Sequence, residues 1–236
     1  MILKVNLLDS FFKEVLENSN PEKANFLQRF FKTGIGEYAE GDIFAGITVP
    51  ISRQIARKFY NLNFNDLKKI VKSKIHEERL IALLILVDKF KKEKTKEVFN
   101  FYLQNRKYVN NWDLVDLSAD KIVGAYLIDK EKNVLYDLAK SEKLWDRRIS
   151  IISTFYFIRH NSFKDTLKIS DLLLNDKEDL IQKAVGWMLR EVGKRDLALL
   201  EKYLKTRYKK MPRTMLRYSI EKFEETKRQK YLKNKI

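Results

Sequence analysis

The chain has 236 residues, with 48 Lys and Arg against 32 Asp and Glu, a formal net charge of +16, no Cys and 2 His. That length suits one large core or a repeat array. The missing Cys excludes disulfides, thiolate ligands and a thiol nucleophile, and His76 and His160 lie too far apart for a zinc pair. A positive surplus of this size attracts polyanions, of which nucleic acid is the commonest.

With only 7 Gly and 3 Pro the chain is material for helices. Residues 4–17 form the first amphipathic pattern, with Val5, Leu8, Phe12, Val15 and Leu16 at spacings of three and four. Lys, Asp and Glu interrupt this stretch, so it does not read as a signal peptide. Pro21 opens a second helix, carrying Phe26, Leu27, Phe30 and Phe31 and ending at Gly34. The stretch from Gly34 to Pro50 holds 4 of the 7 glycines and is the longest irregular segment. Its Gly34-Ile35-Gly36-Glu37-Tyr38-Ala39 run matches a dinucleotide fingerprint on paper. The fingerprint is rejected, because a helix rather than a strand precedes it and no βαβ unit surrounds it. Tyr38 stands out as an aromatic on a glycine-flanked loop.

From residue 51 the pattern repeats as helix, short break, helix. The spans are 51–60, a start at Phe64-Asn65, 76–91, 94–104, Asn110 to about Leu127, 131–139, 144–159, 163–174, 177–193, 197–207 and 212–222. A basic tail closes the chain at 227–236. The longest apolar run, Leu80 to Val87, is too short to cross a bilayer, and a cytoplasmic protein is expected. Short links make neighbouring helices antiparallel, and pairs recur about every 35–40 residues. This predicts an all-α, HEAT-like helical repeat array (an α-solenoid with a concave basic surface), forming a single domain over 1–236. A globular bundle is the alternative.

Three stretches carry chemistry. In Asn110-Asn111-Trp112-Asp113-Leu114-Val115-Asp116, either Asn can cap a helix, and Asp113 then sits in a first turn that favours negative charge. Leu114, Val115, Leu117 and Ala119 point into a core. Trp112 and Asp116, four apart, share a face, and an indole beside a carboxylate attracts a cation. In Leu144-Trp145-Asp146-Arg147-Arg148, paired arginines at a helix start suit phosphate contact. In Ala184-Val185-Gly186-Trp187-Met188-Leu189-Arg190-Glu191, a mid-helix Gly implies a close neighbour. There Trp187 and Glu191 repeat the aromatic–acid spacing, making Glu191 a rival to Asp116, and Arg190 is a further candidate DNA contact.

Together GIGEYAEGDIFAGITVP, NNWDLVDLSA, LWDRRISI, AVGWMLREVGKRD and MPRTMLRYSIEKF resemble the bacterial AlkD-type DNA-alkylation-repair glycosylases, a HEAT-like-repeat family, over nearly the whole chain. The resemblance implies excision of positively charged 3- and 7-alkylpurines from duplex DNA without drawing the lesion into a deep pocket, a departure from base flipping. It implies that Trp112 and Trp187 line the cleft, that Asp116 faces the deoxyribose, that Arg148 holds a phosphate, and that Tyr38 is a further cleft aromatic. It also raises Asp116 over Glu191. No cofactor or metal is called for, and the expected partner is alkylated double-stranded DNA, bound by a monomer away from any membrane. The chemistry is coherent by itself: an alkylated purine is already a good leaving group, so the barrier is the oxocarbenium-like sugar, which aromatic faces and one carboxylate stabilise. Two other functions fit the same residues. One is a non-catalytic array that binds bent, branched or damaged DNA; the other is a protein scaffold whose tryptophans are core.

Overall fold

The computed structural model describes residues 6–236, so residues 4 and 5 of the first expected helix lie outside the described residues. The described chain is all-α. Its only extended pairing among those residues is an isolated parallel bridge between Ile43 and Ile75. The chain divides after Ser118 into two compact units.

The first unit holds α1 (Leu7–Glu17), α2 (Pro21–Phe30), α3 (Val49–Lys58), α4 (Phe64–Ile70), α5 (His76–Glu93), α6 (Lys96–Asn105) and α7 (Trp112–Ala119), the last of which ends at the division. Local chemistry sets several starts. Asn20 accepts from the Lys23 amide at 2.9 Å, Asn63 from Asp66 at 2.9 Å, and Thr95 from Val98 at 3.4 Å. α5 is the central helix: every residue from Leu80 to Leu86 is buried, so it has no polar face, and α3, α4 and α6 pack around it. α2 stops at Phe30, short of the expected Gly34. Lys32 takes a left-handed conformation (φ 54°), and the turn directs Phe31 inward, where it is buried.

The second unit contains a π-helical segment, Asp120–Gly124, then α8 (Ala125–Leu127), α9 (Asn133–Ala139), α10 (Leu144–Arg159), α11 (Lys164–Leu172), α12 (Asp179–Gly193), α13 (Leu197–Lys205), α14 (Arg213–Ser219) and α15 (Glu225–Leu232). Here α10 is central, buried at every residue from Arg148 to Thr154, with α9, α11 and α12 against it. The hydroxyls of this buried run bond backbone carbonyls: Ser150 to Leu135 at 2.7 Å and Ser153 to Ile149 at 2.6 Å. α12 lies closest to α14. A Cβ on Gly186 would fall 2.6 Å from the Met215 carbonyl oxygen and 2.5 Å from Tyr218 Cβ, so glycine permits the approach. Of residues 227–236, expected as a basic tail, 227–232 enter α15: Glu224 accepts from the Thr226 and Lys227 amides, and Tyr231 is buried against the Tyr208 and Phe223 rings.

Within each unit, helices pack on their chain neighbours, the arrangement expected of helix-pair repeats. No helix among the described residues is long and apolar enough to cross a membrane.

Candidate active site and nucleic-acid contacts

In the first unit the interest centres on the start of α7. The Asn111 side-chain oxygen accepts from the Trp112 amide at 2.8 Å, so of the two asparagines Asn111 tends the helix end. Asn110 instead donates to Asp42 at 3.3 Å. Leu114, Val115 and Ala119 are fully buried, while Trp112, Asp116 and Leu117 are half-buried. The periodicity of α7 therefore leaves one edge, bearing Trp112 and Asp116 a turn apart, in contact with solvent.

Trp112 is held by rings. Its indole stacks on Phe31 (centroids 5.1 Å apart, planes 14°), Phe31 on Phe44 (4.9 Å, 23°), and Phe44 on the His76 imidazole (4.4 Å, 21°). Phe30, exposed on α2, meets the indole edge-on at 6.3 Å. Offset ring pairs of this kind add about 0.5–1.5 kcal/mol each beyond their buried area.

At the foot of that stack lies a network absent from the sequence reading. His76 Nδ1 is 3.2 Å from Asp42 Oδ2, and Nε2 is 2.8 Å from Asp113 Oδ2. Arg79 Nη2 sits 2.7 Å from Asp42 Oδ1, an ion pair too oblique to be a hydrogen bond. All four side chains are buried. Neutral imidazole has one N–H, yet both ring nitrogens face carboxylates, so the geometry calls for the imidazolium. Burial opposes that charge, but the Asp113 carboxylate, by its field and hydrogen bond, and the Asp42 hydrogen bond push the imidazole pKa up to about 9. Burial likewise opposes ionised Asp42, yet its hydrogen bond to His76 and the charge of Arg79 hold it below the usual carboxylate range. The same helix start fastens the glycine-rich loop. Glu77 accepts from the amides of Ala45 (2.8 Å), Gly46 (2.8 Å) and Ile47 (3.1 Å), and the His76 amide donates to the Ile43 carbonyl at 2.8 Å. Tyr38, in this loop, is half-buried.

In the second unit Trp187 is half-buried on α12, its ring 5.7 Å from Phe155. The Arg159 guanidinium lies 4.6 Å over Phe155 and pairs with the buried Asp120 at 2.5 Å. Glu191 is buried, with Lys194 at 2.6 Å, Arg195 at 3.4 Å and Arg190 at 3.8 Å, so its charge is already matched. Arg148 is buried and donates to the Leu180 carbonyl at 2.5 Å. Arg147 pairs with Asp176 at 2.7 Å, rather than with adjacent Asp146, and also bonds the carbonyls of Ser141 and Glu142. Arg190 is in close contact with Glu221. The first unit thus brings together Trp112 and Asp116, with Tyr38 on the neighbouring loop. The second holds Trp187, Arg147, Arg148 and Arg190 in separate settings.

Comparison with known proteins agrees with this architecture. In fold, the chain is similar to a solved structure described as a predicted DNA alkylation repair enzyme from Enterococcus faecalis. That likeness has a TM-score of 0.69 and 20% identity, and covers 87% of this chain and 97% of the other. No curated protein sequence matches significantly. The profile of the DNA alkylation repair enzymes matches residues 12–223, nearly the full length, and the chain therefore belongs to that family.

Proposed function

We propose that the protein is a monofunctional DNA glycosylase that hydrolyses the N-glycosidic bond of cationic 3- and 7-alkylpurines in duplex DNA. The observation that carries this reading is the Trp112–Asp116 pair on the wetted edge of α7, an indole face and a carboxylate a turn apart in a chain of net charge +16.

The alkylated base already bears the charge that makes it leave. As the C1′–N bond breaks, its electron pair neutralises the purine and the positive charge moves to the sugar. Asp116 stabilises that charge and orients the water that adds at C1′, and the water's proton passes to solvent. The indole of Trp112 flanks the nucleotide. Each electrostatic contribution is on the order of 1–3 kcal/mol. No lysine nucleophile takes part, so the strand stays intact. The lesion need not enter a deep pocket, because nothing on its far side has to be protonated. Glu191 is a poorer candidate for this role because three cations already surround it.

Tyr38, Arg147, Arg148 and Arg190 are assigned to DNA contact. Phosphate binding at Arg147 and Arg190 would exchange an acid partner, Asp176 or Glu221, for the backbone. The partner is alkylated duplex DNA, the protein acts as a cytoplasmic monomer, and no cofactor is used.

The test is release of 7-methylguanine or 3-methyladenine from alkylated duplex by wild type and by Asp116→Asn. Release by wild type that falls steeply in the variant supports the proposal. Tight, salt-dependent DNA binding without release would replace it with the non-catalytic reading.

A further inference from the structure

The His76 cluster lies outside the residues assigned to excision, yet it touches the segment that carries them from two sides. Nε2 reaches Asp113, the residue next to Trp112, at 2.8 Å. The ring face begins the stack that runs through Phe44 and Phe31 to the Trp112 indole. Nδ1 reaches Asp42, which also takes Asn110 at 3.3 Å, just ahead of α7.

We propose that His76 is a positioning residue for base excision: its imidazolium, clamped between Asp42 and Asp113 and seated at the base of the ring stack, sets the pose of Trp112 and of Asp116 one turn on. This rests on the assignment of Trp112 and Asp116 to excision.

Two anions and two cations, Asp42 and Asp113 with His76 and Arg79, balance in the buried cluster. Removing one proton breaks the balance. A neutral imidazole can donate to only one carboxylate, so the other loses its bond and is left as an uncompensated buried charge. The groups around His76 are Asp42 from the loop, Asp113 from α7, and Arg79, Glu77 and Glu78 on its own helix, while the turn after α2 offers the Phe31 ring. The clamp releases as pH rises through about 9.

The test uses the chain's 3 Trp and 2 His. Replacing Trp145 and Trp187 by Phe leaves Trp112 as the sole indole, and replacing His160 by Gln leaves His76 as the sole imidazole. Emission from Trp112 and the NMR shift of the His76 ring are followed between pH ~7 and ~10. The expected result is one shared midpoint on the alkaline side, with helical content constant by circular dichroism. Adding His76→Gln abolishes the emission step.

In otherwise wild-type protein acting on alkylated duplex, kcat falls about tenfold across the same range while KM holds, and His76→Gln starts at the lower kcat with no such step. Trp112 emission that stays flat while the His76 ring titrates would overturn the proposal. So would His76→Gln with wild-type emission and kcat profile. Should His76→Gln fail to fold, the coincidence of the two midpoints in the His76-bearing protein still decides. Wild type that releases no base would overturn the excision reading and the link of His76 to it, while the emission and NMR readouts still decide whether His76 sets the pose of Trp112.

Discussion

Two of the half-buried tryptophans, Trp112 and Trp187, are supported by opposite kinds of force. Trp112 rests on a column of rings whose base is a buried cluster of charges. Trp187 rides on α12, which glycine lets lie tight against α14, and its ring neighbour Phe155 is covered by an arginine whose own partner is Asp120. The first support is electrostatic and has a titratable member; the second is a matter of volume and backbone approach. The same kind of side chain, projecting from the same kind of helix, should therefore fail for different reasons in the two units. Protons would disturb one, and added methyl groups the other.

Four perturbations break or sharpen that contrast. The largest effect is expected from Asp116→Asn, which removes the charge beside Trp112 and leaves shape intact. Single-turnover base release should fall about 10²–10³-fold, or about 3–4 kcal/mol of barrier.

Next is alkaline pH. The folded pKa of His76 is raised, so its stabilisation is complete below the ordinary histidine value and is lost as pH rises through about 9. Urea midpoints measured up to that pH should fall by the equivalent of about 3 kcal/mol. His76→Gln should flatten the dependence while being less stable at neutral pH.

Gly186→Ala acts on the second unit. Its new methyl would meet the Met215 carbonyl and Tyr218, so a loss of about 2–3 kcal/mol is expected by urea unfolding, without any new pH dependence. The smallest effect belongs to Arg147→Gln. Its ion pair with Asp176 is largely shielded from water and Gln keeps part of the hydrogen bonding, so stability should change by about 1–2 kcal/mol. Because Arg147 is also assigned to phosphate, the slope of log affinity against log salt should decrease by about one.

Where helices fall was readable wherever one periodicity ran uninterrupted: the 144–159 pattern coincides with α10 at both ends. The glycine in α12 was readable too, since a mid-helix Gly beside large residues implies a close neighbour, and Met215 and Tyr218 are that neighbour. Trp112 and Asp116 could be paired on a face from their spacing alone.

The ion cluster could not be seen in this way. His76 meets Asp42 and Asp113 across 34 and 37 residues of chain. Periodicity reports only which face is buried, not what is buried opposite it. A histidine opening an apolar helix in Ile75-His76-Glu77-Glu78-Arg79 was the available hint, since so much charge at the head of a buried helix needs partners. Glu191 illustrates the converse. Its spacing from Trp187 copies that of Asp116 from Trp112, but Lys194 and Arg195, three and four residues further on, fold back onto it.

The loop that resembled a nucleotide-binding turn has one more lesson. Three successive amides, those of Ala45, Gly46 and Ile47, converge on the Glu77 carboxylate as such amides converge on a phosphate. The protein thus supplies an internal tenant for its own anion hole. A free anion would have to evict a tethered carboxylate there, so Gly46 serves to bind one part of the chain to another, while the fingerprint glycines Gly34 and Gly36 donate to the neighbouring Glu37 and Glu40 carboxylates.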